Sequence, residues 1–295
     1  MDKMAAFEET RMVFVRTCIF FCYVVALALF ANGCQKKEEK ATSRCIYDQP
    51  LFAEVFLQAA NQEEQFLTFK RNPYFNLLWE NQSQEEGERW LQKIQAEYPA
   101  ILANLPKLRQ NDKIGHPRTY FYQDAGVFSP STLRLSALAG EILQRHGPLK
   151  EMDVVQIGAG CGSLCKILYE VSGFKSYTII DLLEPLSLAR KCLNEWGVEN
   201  VTFLTVDELP NKVSSDLVIS DLSFSEFDRP EQEKLIDRIL KQAASGYLAC
   251  RIYPKHFGVV PMSLQELSKQ LKKSKNVEIL DSLKDREDYF VSWNQ

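Results

Sequence analysis

The run VVQIGAGCGSL sets Gly158, Gly160 and Gly162 at a GxGxG spacing. Glycines so spaced let a chain turn sharply and let backbone N–H groups approach a ligand at the start of a helix. The apolar DVVQI ahead of them reads as a strand and SLCKIL behind them as a helix, which is the context that gives a glycine pattern meaning. About 20 residues past Gly160, Asp181 closes the apolar run SYTIID and Leu182 follows it. A carboxylate at that strand end can accept both hydroxyls of a ribose. Asp207, just past VTFLTV, is placed to accept a hydrogen bond from an adenine amino group. The chemistry these residues suit is the binding of an adenosine-bearing cofactor.

Elements that would position them can be read in order. From Met152 onward, strand-like segments (DVVQIG, SYTIID, VTFLTV, SDLVISD, GYLACRI) alternate with helices expected around 163–172, 185–196 and 229–244. Such alternation implies a parallel sheet with crossover helices. A helix from Ser263 precedes NVEILD and DYFVSWN, two final strands in a hairpin. Nicotinamide dinucleotides and S-adenosylmethionine both carry the ribose. The dinucleotide fingerprint wants Gly or Ala where the chain has Ser163, and with the terminal hairpin this favours S-adenosylmethionine over a nicotinamide reductase.

Ahead of this lies a helical stretch, 46–110, with a capping-box pattern at Ser83 and Glu86. Its aromatics Phe66, Phe69, Tyr74, Phe75, Trp79 and Trp90 suit a core more than a groove. Residues 111–150 lead into the cofactor domain, 151–295, through a turn-rich loop and a helix. That helix has Ser129 as N-cap, Pro130 at its first position and Gly147 as terminator. The expected fold is therefore α/β: a Rossmann-like sheet of parallel strands with a C-terminal antiparallel hairpin, preceded by a small helical domain.

Over roughly 150–295 the chain resembles the class I S-adenosylmethionine-dependent methyltransferases. More narrowly, GHPRTY…SPSTLR, QIGAGCGSLCKIL, IIDLLEPLSLARKCL, DLVISDLSFSEFDRPEQ and GYLACR resemble the sugar O-methyltransferase family, over about 110–255. The resemblance implies donor binding at Gly158, Gly160, Gly162 and Asp181, and a sugar or other small-molecule or glycan acceptor. The chain departs from the family two places before the first glycine, where Gln156 stands for the usual acid. An amide can hydrogen-bond there but offers no carboxylate to the donor.

Methyl transfer to a hydroxyl needs alignment and a group to take the proton. The candidates are Asp221 and Glu226 in DLSFSEF, and His116 and His256 of the three histidines. Glu226 also fits as an early-helix acid favoured by the helix dipole, which likewise explains His146 at a helix end. Arg118, Tyr120 and Arg134 are candidates to position the acceptor, Arg134 equally an ion-pair partner. Cys161 and Cys165 read as packing residues. The spacing of the 8 cysteines matches no zinc site, so no metal is expected.

The 295 residues, 45% hydrophobic and 25% charged, describe a folded globular body. Lys+Arg 35 against Asp+Glu 39 give a charge of −4, without the basic excess that phosphate backbones require. No nucleic-acid partner is expected. The first 34 residues stand apart. Thr17–Ala31 is a short apolar run suited to a signal-peptide core, and A-N-G-C resembles a bacterial lipobox with Cys34 as the lipidated residue. Residues 35–45 then form a charged tether, and the domain would be membrane-associated through this segment. An uncleaved signal anchor and a translation start further along are the alternatives. A non-catalytic membrane lipoprotein that keeps the fold as a binding module is the rival to an enzyme.

Overall fold

The computed structural model describes residues 44–45, 50–251, 259–272, 275–280 and 288–294. Cys34 and His256 lie outside the described residues.

Helices α1 (Pro50–Asn61), α2 (Glu63–Thr68), α3 (Pro73–Trp79), α4 (Gln84–Glu97) and α5 (Pro99–Leu108) come first. The capping box forms as its spacing predicts: Ser83 Oγ accepts from Glu86 N while Glu86 accepts from Ser83 N, which starts α4. A short hairpin follows, β1 (Tyr120–Tyr122) paired with β2 (Gly126–Phe128). The sequence reading treats this stretch as loop. Each strand is three residues long, too short for alternation to register, and Asp124 at φ 67 with Gly126 at φ 90 makes the turn. Helix α6 (Pro130–His146) begins and ends on the residues that the sequence marks, Ser129 accepting from Thr132 N and Gly147 capping the last turn.

The remaining elements are β3 (Asp153–Ile157), α7 (Ser163–Val171), β4 (Ser176–Asp181), α8 (Leu183–Glu195), β5 (Val201–Thr205), β6 (Ser215–Asp221), α9 (Ser223–Glu226), α10 (Arg229–Leu235), β7 (Ala243–Arg251), α11 (Leu264–Leu271), β8 (Val277–Leu280) and β9 (Asp288–Trp293). A π-turn, Ile236–Leu240, extends α10. The seven-stranded sheet runs β5-β4-β3-β6-β7-β9-β8. Its first five strands are parallel; β9 enters antiparallel beside β7 and pairs with β8. The fold is thus α/β with a mainly parallel Rossmann-like sheet closed by an antiparallel hairpin, as the sequence predicts.

Alternation along the strands sorts the core. Val154, Tyr177, Ile179, Leu217 and Tyr247 pack with residues of α4–α8 on one face. Val155, Ile157, Ile180, Val218 and Leu248 pack with Ile236, Ile239, Leu267 and Leu271 on the other. A third cluster joins Phe56, Phe66, Phe69 and Phe75 of the helical region to Cys161, Leu188 and Cys192. Those phenylalanines are core. Strand order reverses at β3, and the connections that leave the carboxyl ends of β3 and β6 run to opposite faces, which opens a crevice there in sheets of this kind.

Candidate functional site

Between β3 and α7 the glycines do three different things. Gly158 (φ 94) donates its N–H to the Ile180 carbonyl at 2.8 Å, and a Cβ there would sit 2.0 Å from Ser223 Oγ. A Cβ on Gly160 (φ 52) would meet no atom within 4 Å. Gly162 packs on α8, where a Cβ would approach Leu193 to 2.8 Å. Only Gly160 has its bare side toward open space, and it lines the recess at the carboxyl edge of the sheet.

Asp181 forms the neighbouring wall. It is 9% exposed, and its two oxygens accept from Ala159 N and Leu182 N at 2.7 Å each. The carboxylate therefore fixes the glycine loop and the entry to α8 at once. Burial pushes its pKa up to about 6, against the pull of those two N–H donors. The recess is completed by Leu182, Glu184 and Pro185 from the start of α8, Ser223 and Glu226 from α9, Phe227, and Cys45, Ala53, Phe56 and Trp79 from the N-terminal side.

Of the sequence candidates, the structure brings Gly160, Asp181, Leu182 and Glu226 together in this recess. Glu226 is 5% exposed. Gln156 stands behind the loop: its Nε2 donates to the Gly158 carbonyl at 2.5 Å and its Oε1 accepts from Tyr177 Oη at 2.6 Å. Its amide holds the first glycine in place from the α7 side of the sheet. Asp221 faces Arg134 in a two-pronged ion pair, with Nη1 to Oδ1 3.0 Å and Nη2 to Oδ2 2.5 Å. The ion-pair reading of Arg134 describes this geometry, and neither residue lines the recess. Asp207 is exposed, and hydrogen bonds from Arg44 hold its carboxyl below the usual range.

His116, Arg118 and Tyr120 are not among the lining residues. His116 (φ 50) and Arg118 are exposed, Tyr120 begins β1, and the His116 carbonyl accepts from Arg71 Nε at 2.7 Å. Closeness in sequence to the glycine loop does not carry them to it. Among the described residues, no group of three His, Cys, Asp or Glu stands together as a metal site.

Sequence reading missed Ser223 and Glu184. Ser223 shares one helical turn with Glu226 at i, i+3, a spacing that puts both on one face. Leu222, just before it, sits at φ 69, ψ −33, which a side-chain-bearing residue adopts only under strain. That twist turns the chain from β6 into α9 and sets Ser223 over Gly158. Cys45 carries no local signal at all, since only the tertiary fold delivers it, and Trp79, which the sequence suits to a core more than a groove, lines the recess.

A buried polar network underlies the loop. Lys70, 1% exposed, donates to the Asn111 carbonyl at 3.4 Å and faces Glu80 at 3.9 Å. Ser131 Oγ donates to Glu80 Oε2 at 2.5 Å. Asp112 accepts from Ser129 N, Ser129 Oγ and Thr132 Oγ1. Burial pushes the Glu80 carboxyl up to about 7. A hydrogen bond from Cys192, followed by the charge of Lys70, brings the Cys161 thiol down to about 5. The helical region is thus wired electrostatically to the loop it covers.

No protein-family model and no curated protein matches the chain. Among solved structures, it is similar to an S-adenosylmethionine-dependent methyltransferase from Aquifex aeolicus, at 20% identity and TM-score 0.39 over 52% of this chain and 88% of that one. An O-methyltransferase family 2 protein from Planctomyces limnophilus, solved with apigenin, is 11% identical at TM-score 0.39 over 49% of this chain. The match spans half of that protein's length (50%). The pyocyanin biosynthetic protein PhzM is 17% identical at TM-score 0.41 over 56% of this chain and 57% of that one. Values of this size do not carry chemistry from one protein to another. The fold stands on its strand order and the chemistry on the recess.

Proposed function

We propose that the chain transfers a methyl group from S-adenosylmethionine to an oxygen of a sugar or related polar acceptor. One observation carries the reading: a buried carboxylate, Asp181, and an uncovered glycine, Gly160, meet in one recess with a second buried carboxylate, Glu226. The pair Asp181–Gly160 suits an adenosine ribose. Each Asp181 oxygen has one backbone N–H and keeps a lone pair for a ribose hydroxyl, and the missing Cβ at Gly160 leaves room for the ligand to lie against the backbone. When bound, the donor supplies an electrophilic methyl group. The rest of the work falls to the chain.

Leu182 offers an apolar surface beside the ribose site. Glu226 lines the recess and Asp221 does not, so Glu226 is the carboxylate within reach of the acceptor proton, with Ser223 beside it to orient the acceptor oxygen. Phe56, Trp79 and Phe227 wall off water from that side. Under the same reading the apolar segment ahead of Cys34 stays uncleaved as a signal anchor, since lipidation at Cys34 would follow export of the domain. The domain then lies on the cytoplasmic face, where the donor is made; protease accessibility in intact cells tests this.

Calorimetric titration of the full chain with S-adenosylmethionine and S-adenosylhomocysteine tests the central claim. Both should bind the wild type and neither should bind Asp181→Ala. A folded wild-type protein that binds neither refutes it.

A further inference from the structure

Arg44 adjoins the recess through its neighbour Cys45. Its Nη1 and Nη2 donate to the two oxygens of Asp207 at 2.9 Å each, and its Nε donates to Glu231 Oε1 at 2.9 Å. Its backbone carbonyl accepts from Asp228 N, also at 2.9 Å. The next residue, Cys45, forms an antiparallel bridge with Phe227, and both line the recess.

Topology gives these contacts their meaning. Asp207 follows β5, whereas Asp228 and Glu231 follow β6. In the sheet, β5 and β6 flank the β4–β3 pair, and the ends of that pair carry Asp181 and the glycine loop. A guanidinium fastened to both sides therefore spans the two strand ends that form the ribose site. The fork is also specific to its residue type, because three of its N–H groups engage two carboxylates in one plane, which a lysine ammonium cannot do.

We propose that Arg44 and Cys45 belong to the donor site, as a strap over its nucleoside end in which Arg44 holds the Asp207 carboxylate in position. The proposal rests on the donor reading above. The Asp207 arm of the fork is open to solvent and adds little to folding, so its effect falls on ligand exchange, while the part-buried Glu231 arm anchors Arg44 to the fold. With the fork in place a bound nucleoside leaves only when three hydrogen bonds break together. Asp207, set beside the Thr205–Asp181 edge, then accepts from the adenine 6-amino group, making Arg44 a positioning residue that acts through Asp207.

Stopped-flow measurement of S-adenosylhomocysteine dissociation from the full chain tests the strap, with S-inosylhomocysteine as the analogue that carries a 6-oxo group. Arg44→Ala and Asp207→Asn should each speed dissociation about tenfold. The double variant should be no faster than either, Arg44→Lys should fall between, and Asp207→Asn should keep the wild-type melting temperature. The wild type should prefer the 6-amino ligand, and Arg44→Ala should lose that preference. Unchanged dissociation in Arg44→Ala overturns the strap while leaving the donor reading intact, as does an equal weakening of both ligands accompanied by a lower melting temperature. Failure of the wild type to bind S-adenosylhomocysteine overturns both.

Discussion

With Asp181 as the proposed ribose acceptor, donor binding becomes a function of pH, and the structure gives its sign and rough size. Its carboxyl is raised to about 6 by burial, above its ordinary 3.8. Ribose hydroxyls donate to the charged form, so ligand binding favours ionisation and expels the proton that the free protein holds at lower pH. Affinity therefore rises with pH up to about 6 and is flat above it. At pH 5 about one molecule in eleven carries the charge, against nearly all at pH 8. The dissociation constant for S-adenosylhomocysteine should rise about tenfold between those values, equivalent to about 1.4 kcal/mol. Titration calorimetry in buffers of differing ionisation heat measures both the affinity and the proton released, close to one near pH 5 and none at pH 8. Glu80 and Cys161 titrate in neighbouring ranges, which makes Asp181→Asn the necessary control. That variant should bind more weakly with no pH dependence between 5 and 8. A wild-type affinity flat over this range, or the same slope in the Asn variant, would sink the reasoning.

Three further outcomes follow from the same contacts. Gly160→Ala should cost about 1 kcal/mol of stability for its φ of 52 yet abolish donor binding. Gly162→Ala, which meets Leu193 at 2.8 Å, should cost about 2–3 kcal/mol in chemical denaturation. Equal stability losses in the two would contradict their assigned roles. Burial raises the Glu80 carboxyl to about 7 against the pull of Lys70 and Ser131, so its contribution is full below the unfolded value of 4.5 and is lost as pH rises through about 7. Glu80→Gln should therefore remove a loss on the order of 2 kcal/mol between pH 5 and 8, read as the wild-type-minus-variant difference in melts across that range. Arg134→Ala leaves the Asp221 carboxylate part-buried without its two-pronged partner and should destabilise by about 2 kcal/mol. Adding Asp221→Ala should recover part of the loss; an additive double variant would show that the pair does not couple.

What the sequence discloses here follows the range of the interactions involved. Gly160 and Asp181 are legible because a strand, a turn and a helix start lie within a few residues of each, so local spacing implies a local shape. Gln156 lies behind the glycine loop and not in the recess lining. Strand alternation puts it on the face of Val154 rather than that of Val155 and Ile157, and therefore toward Tyr177. Position relative to the glycines suggests a ligand contact, whereas both polar atoms of the amide are taken up within the fold, by Tyr177 and the Gly158 carbonyl. Asp221 is a comparable case, since its place at a strand end is correct but its partner, Arg134, comes from a helix 87 residues away in sequence. Arg44 and Cys45 show the opposite limit. Nothing in their neighbours marks them, because the recess reaches them only after the helical region has packed over the glycine loop and Arg44 has closed on Asp207. The site is thus composite: its floor is encoded by short-range spacing on β3 and β4, and its cover by long-range contacts. Variants of the floor should change whether a nucleoside binds, and variants of the cover should change how fast it comes and goes. Dissociation rates, more than affinities, will therefore show which residues the sequence could not reveal.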